Sequence, residues 1–145
     1  MIQRIQTVFL LLASACSFLT FQFPFATDEV MSDSAILSDG IYNLHDNIVL
    51  LIAFVVGGAL ALGSLVSFKN RKNQSLLARL AFVANLIGMI LVAVFYFNDL
   101  AFQNNTTPND GVGAYLPMGA MILLLFAMRF IKKDDDLVRS MDRLR

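Results

Sequence analysis

The sequence is poor in the residues from which sites are usually built. It has a single cysteine, Cys16, and a single histidine, His45. One chain therefore can neither close an internal disulfide nor assemble a Cys/His metal cluster. Only 15% of its residues are charged, against 57% hydrophobic. An ordinary soluble domain carries roughly 25% charged residues and about 45–50% apolar ones. Formal net charge is zero, so the total points to no nucleic acid or acidic partner.

The charge is missing from particular places. Residues 7–26, 48–68, 80–97 and 112–128 contain no Asp, Glu, Lys, Arg or His, and the last run extends to about 130 if Arg129 is counted at its rim. Each is close to the roughly 20 residues that carry a helix across a bilayer core of about 30 Å. Each is also apolar around its whole circumference, where a soluble helix would keep one polar face. The expected fold is all-α: an integral membrane bundle of four helices forming one domain over 1–145. A cytoplasmic tail, 131–145, follows the fourth span.

Polar residues fill the connections, and they are sorted by sign. Thr27 to Asn47 holds Asp28, Glu29, Asp33, Asp39 and Asp46 without Lys or Arg, and Asn98 to Gly111 holds Asp99 and Asp110. The second connection holds Lys69, Arg71, Lys72 and Arg79 without an acid. Arg4 precedes the first span, and Arg129, Lys132, Lys133, Arg139, Arg143 and Arg145 follow the fourth. With four spans, all 11 Lys and Arg residues fall on one side. Basic connections stay in the cytoplasm during insertion, so both termini are expected there.

The first run admits a second interpretation. Arg4, an apolar stretch and small residues also describe a secretory signal, and Leu12-Ala13-Ser14-Ala15-Cys16 resembles a lipoprotein cleavage site. Phe18, Leu19, Phe21, Phe23 and Phe25 then follow, where a mature lipoprotein would begin with a polar tether. A retained helix accounts for the whole run.

Asn85 is the most polar residue deep in a span. It either lines a path or bonds a neighbouring helix, and the second is expected. Small residues recur four apart: Ala53, Gly57 and Ala61; Ala59, Gly63 and Ser67; Ala84 and Gly88. Such rows let helices approach closely in lipid, within the bundle or in a homo-oligomer. Pro117 falls near the start of the fourth span, where a missing N–H costs little. His45 beside Asp46 is expected to be a solvated interfacial histidine rather than a pH sensor. Asp39-Gly40 suggests a turn, with Ile36-Leu37 and Ile41-Tyr42 as a short hairpin. Asn104 and Asn105 head glycosylation sequons, which mean nothing in a bacterial protein.

The tail has its own pattern. Lys132-Lys133 is followed by Asp134, Asp135 and Asp136, then by Leu137, Val138, Met141 and Leu144 at helical spacing. Asp134 suits the positive start of a new helix, and Asp135 and Arg139 are an i, i+4 pair. A short amphipathic helix on the cytoplasmic leaflet is expected, with partner docking as the sharper alternative.

Three stretches resemble a family of small bacterial membrane proteins, domain of unknown function 4293. They are Met1-Ile2-Gln3-Arg4-Ile5-Gln6-Thr7; Lys69-Asn70-Arg71-Lys72 with Gln74 and Arg79; and Lys133-Asp134 through Leu137-Val138-Arg139-Ser140 to Asp142-Arg143-Leu144-Arg145. Asp39-Gly40-Ile41-Tyr42 with Asp46-Asn47 is also similar, whereas Asn73 stands where an apolar residue is expected. The resemblance implies a bacterial inner-membrane location and a four-span fold. It brings no activity, substrate or cofactor with it.

Function is accordingly expected to be non-enzymatic, without cofactor or metal. The outer Asp28, Glu29, Asp33, His45 and Asp46 match no catalytic spacing. Membrane lipid, a protein partner or a second copy would meet the basic face of Arg4, Lys69, Arg71, Lys72, Arg79, Lys132, Lys133, Arg139, Arg143 and Arg145. Gly57, Ala61, Gly63, Asn85 and Gly88 are the expected packing positions. The alternative is a small transporter or channel subunit, although no ionisable group within a span supplies a proton relay.

Overall fold

A computed structural model describes residues 2–27, 41–100 and 109–142, with side chains placed for 5–27, 41–98, 109–138 and 140. The described residues are mostly helical. Helix α1 spans Ile2–Leu19, α2 Ile48–Val66, α3 Arg71–Leu100 and α4 Val112–Asp142. Three two-residue strands accompany them: β1 at Ala26–Thr27, β2 at Ile41–Tyr42 and β3 at Asn109–Asp110.

Helix ends follow from local chemistry. Thr20 Oγ1 donates to Ser17 O at 2.6 Å, a side chain competing for a helix carbonyl at the end of α1. Pro24 then cannot continue a helix. Phe25 N–H turns instead to Tyr42 O, at 2.8 Å. Asn47 caps α2 by accepting from Val49 N–H at 2.9 Å. At the far end the backbone tightens into a 3-10 turn, Ser67–Lys69, and Asn70 caps α3 by accepting from Asn73 N–H at 3.3 Å.

Three expectations are corrected here. The first helix begins at Ile2 rather than near 7 and ends at Leu19 rather than 26, since Pro24 and β1 take the chain out of it. The basic connection is short, only Ser67 to Asn70, and Arg71, Lys72 and Arg79 belong to α3. The tail forms no separate helix: α4 runs unbroken for 31 residues to Asp142. No Gly or Pro interrupts 131–142, and Asp134 faces an arginine instead of capping a new start. Among the described residues, Ile41–Tyr42 pairs with Ala26–Thr27. Ile36, Leu37, Asp39, Gly40, Asn104 and Asn105 lie outside the described residues.

The strands form one antiparallel sheet in the order β2-β1-β3, with Ala26 opposite both Tyr42 and Asp110. Around it, α1 packs on α2 and α4, and α3 packs on α2 and α4, so the helices form a closed ring. One apolar cluster, Leu10, Ala61, Ala78, Leu124 and Ile131 among its members, lies towards the basic end. A second, with Phe25, Tyr42, Phe54 and Val92, lies under the sheet.

The outside is apolar as well. Ile52 and Val66 on α2, Leu80 and Ile90 on α3, and Ile122 and Phe126 on α4 are all exposed. Three segments, Ile48–Lys69, Arg71–Asn98 and Val112–Val138, are long and apolar enough to cross a membrane. The shorter apolar stretch of α1 is Ile5–Leu19.

Candidate functional site

The described basic residues gather where α2 hands over to α3 and where α4 ends. Capping by Asn70 starts α3 at Arg71, and the first turns of that helix carry Arg71, Lys72 and Arg79. The last turns of α4 carry Arg129, Lys132 and Lys133. Lys69 closes the 3-10 turn and is exposed, as are Lys72, Arg79, Lys132 and Lys133. The side chains of Arg4 and Arg139 are not among those described, and Arg143 and Arg145 lie outside the described residues.

Arg71 ties the two helices together. Its Nη1 donates to the Asp134 carbonyl oxygen at 2.8 Å, and its Nη2 lies 3.2 Å from Asp134 Oδ2. Only 25% of the Arg71 side chain and 15% of the Asp134 side chain are exposed. At that depth, removing one partner strands the other charge, which costs more than the pair contributes. Arg71→Ala is expected to destabilise the chain by about 2 kcal/mol, and Arg71→Ala with Asp134→Ala by less. Unfolding of both variants in mild detergent, beside the wild type, checks this. Equal losses in the single and double variants would contradict it.

A groove of about 590 Å³ opens between α3 and α4 beside this pair. Arg71, Lys72, Arg79 and Lys132 line it, together with Asp135 and Asp136. Leu76, Leu80 and Ile131 supply its apolar wall. A shallower depression on α4 is lined by Arg129, Lys132, Lys133, Asp136 and Leu137.

The interior is polar at chosen points. Asn85 is fully buried; Ser17 Oγ donates to its Oδ1 at 2.9 Å, and its Nδ2 donates to Ala81 O at 2.9 Å. The bond joins α1 to α3, which face each other across the ring. Gly57 makes room: a β carbon there would come within 2.6 Å of Asn85 Nδ2. Gly88 does the same for the Phe54 ring, at 2.9 Å. Ala61 is fully buried, whereas Gly63 has Leu77 Cδ1 only at 3.7 Å and is not a tight contact. Asn85→Ala is expected to lower stability by about 0.6–2 kcal/mol. Unchanged melting in detergent would argue against that bond.

Two buried amides escape a reading based on hydropathy. Gln6 Oε1 and both side-chain polar atoms of Gln74 are enclosed without a hydrogen-bond partner. Both residues adjoin the basic segments and look like rim polars in the sequence. Gln74 O also accepts from Ser64 Oγ at 2.9 Å, which anchors α3 to α2.

At the opposite end His45 is exposed and sits edge-on to Phe21 with ring centroids 6.0 Å apart. Asp46 Oδ2 accepts from Asn43 N–H at 2.6 Å, within a 3-10 turn. Asp28, Glu29 and Asp33 lie outside the described residues. Among the described residues no three His, Cys, Asp or Glu side chains are grouped to hold a metal ion.

A family model described as "Domain of unknown function (DUF4293)" matches residues 2–144. No curated protein and no solved structure matches the chain.

Proposed function

The chain belongs to the family described as domain of unknown function (DUF4293), and from that premise we propose a non-enzymatic protein of the bacterial inner membrane. It crosses four times with both termini in the cytoplasm, and it works by engaging anionic membrane lipid through its basic end. The carrying observation is the groove between α3 and α4, which is lined both by cationic side chains and by Leu76, Leu80 and Ile131. Anionic lipid carries the matching pair, a phosphate and a hydrocarbon chain.

Several features support four crossings. An α1 of 18 residues is about 27 Å long, close to the bilayer core. Its Leu10 and Ala13 share a core with Leu124 and Ala127, and Phe9 stacks on Phe126 and Phe130. Cleavage before Cys16 would strip that side of α4. The 31 residues of α4 reach about 46 Å, so its basic end extends beyond the hydrocarbon.

The test is native mass spectrometry of the protein extracted gently from its own membrane, beside the variant Lys69→Gln, Lys72→Gln, Lys132→Gln, Lys133→Gln. The wild type is expected to carry anionic phospholipid that the variant loses. Equal retention would overturn the reading, and loss of a bound protein instead would reassign the face to a protein partner. A small transporter or channel subunit is the second reading, favoured by the buried amides of Gln6 and Gln74. It requires solute flux in liposomes that Gln74→Leu abolishes.

A further inference from the structure

Lysines and arginines around a membrane protein usually hold lipid diffusely, as a cloud. What sets the α3–α4 groove apart is an extended apolar wall beside its charge. With Arg71 committed to Asp134, its remaining bases Lys72, Arg79 and Lys132 stand against Asp135 and Asp136, a formal excess of one positive charge (three bases less two acids). Its wall continues out of the groove: Leu76 and Leu80 lead along α3 into the exposed row Val83, Ile87 and Ile90.

We infer that this groove seats one glycerophospholipid with an anionic headgroup. The inference rests on the proposed function and names where and how that lipid is held. The phosphate lies among Lys72, Arg79 and Lys132, and one acyl chain follows the Leu76–Leu80–Val83–Ile87 row. Arg71 is already tied to Asp134, so it positions the wall of the groove and leaves the binding charge to the other three. A free phosphate would use the cations and leave the leucines bare. A metal cation would meet repulsion from the surplus of positive charge. An anion with an attached hydrocarbon chain satisfies both halves of the groove.

The experiment uses the full chain, delipidated in mild detergent and titrated with phosphatidylglycerol while bound lipids are counted by native mass spectrometry. Phosphatidylcholine of the same chain length, and glycerol 3-phosphate as competitor, are run beside it. The groove variant is Lys72→Gln with Lys132→Gln, and the charge-matched control is Lys69→Gln with Lys133→Gln. A melting curve of each keeps unfolded protein out of the comparison.

One phosphatidylglycerol per chain is expected to bind more tightly than all later ones. The groove variant should weaken that first site roughly 25-fold, from about fivefold per lysine, and the control by less than about threefold. Equal weakening in both variants would overturn the seat while leaving the proposed lipid-binding face intact. No preference for phosphatidylglycerol over phosphatidylcholine would overturn both. Full displacement by glycerol 3-phosphate would show a plain anion site and overturn the lipid assignment.

Discussion

Gly113→Val is expected to lower stability by about 3–4 kcal/mol. Gly113 N–H donates to Pro24 O at 2.9 Å, and two residues earlier Gly111 N–H donates to Phe25 O at 2.8 Å. A β carbon at Gly113 would fall on the carbonyl oxygens of Phe23 and Pro24. These are main-chain atoms, and they are pinned because Ala26, just beyond, is paired on both sides to Tyr42 and Asp110. A flexible side chain could swing away; this backbone cannot. The start of α4 must then separate from the turn after α1, with loss of the hydrogen bond as well as of packing. Gly119 on the same helix is the control. Nothing lies within 4 Å of a β carbon there, so Gly119→Ala should leave the detergent melting temperature unchanged or slightly raised. Similar losses at both positions would contradict the packing described at Gly113.

The second large effect is expected in the middle of the bundle. Gly57→Val should cost about 3 kcal/mol, because Asn85 fills the space a side chain would need. The added β carbon meets Asn85 Nδ2 at 2.6 Å and Cγ at 3.1 Å. Asn85 has nowhere to retreat while it is fully buried and held by Ser17 and Ala81 O. Removing the amide relieves the clash, so Gly57→Val with Asn85→Ala should cost less than the sum of the single changes. A coupling of at least about 1 kcal/mol in that cycle is the expected result. Simple additivity would mean that the two residues do not meet.

Much of this architecture is legible in the sequence, and the exceptions have physical causes. A hydropathy run marks where hydrocarbon can surround a helix; it does not mark where the helix stops. Arg71 and Lys72 are excellent helix residues that hydrocarbon would reject, so α3 extends past the apolar run that revealed it. The same holds for 131–142 at the end of α4. Pro24, by contrast, is a true stop signal within the first apolar run, and it separates α1 from β1. Ile41–Tyr42 is marked by the turn signal before it, but Ala26–Thr27 and Asn109–Asp110 leave no pattern because two residues are too few for alternation to register, and their pairing joins positions as distant as Ala26 and Asp110.

The basic end was legible in kind but not in detail. The clustering of Lys and Arg in the segments between apolar runs is plain in the sequence. The pairing of Arg71 with Asp134 crosses 63 residues and depends on α3 and α4 lying side by side. Nothing local to Asp134 distinguishes that partnership from the helix cap its position suggested. Gln6 and Gln74 sit beside Arg4 and Lys72, where polar residues are ordinary, and only packing encloses them. The groove itself needs both helices at once: Leu76 and Leu80 read as span edge, Lys132 and Asp136 as tail.

The proposed function depends most on α1 crossing the membrane, since that crossing places the N-terminus with the other basic segments. The direct measurement is labelling with a membrane-impermeant maleimide in the Cys16→Ser background, with single cysteines at Gln3, Asn73, Asn109 and Ser140. In intact spheroplasts Asn109→Cys should label, whereas Gln3→Cys, Asn73→Cys and Ser140→Cys should label only after permeabilisation. Labelling of Gln3→Cys and Asn109→Cys together from outside would mean three crossings, with α1 lying against the bundle without spanning, and would contradict the account.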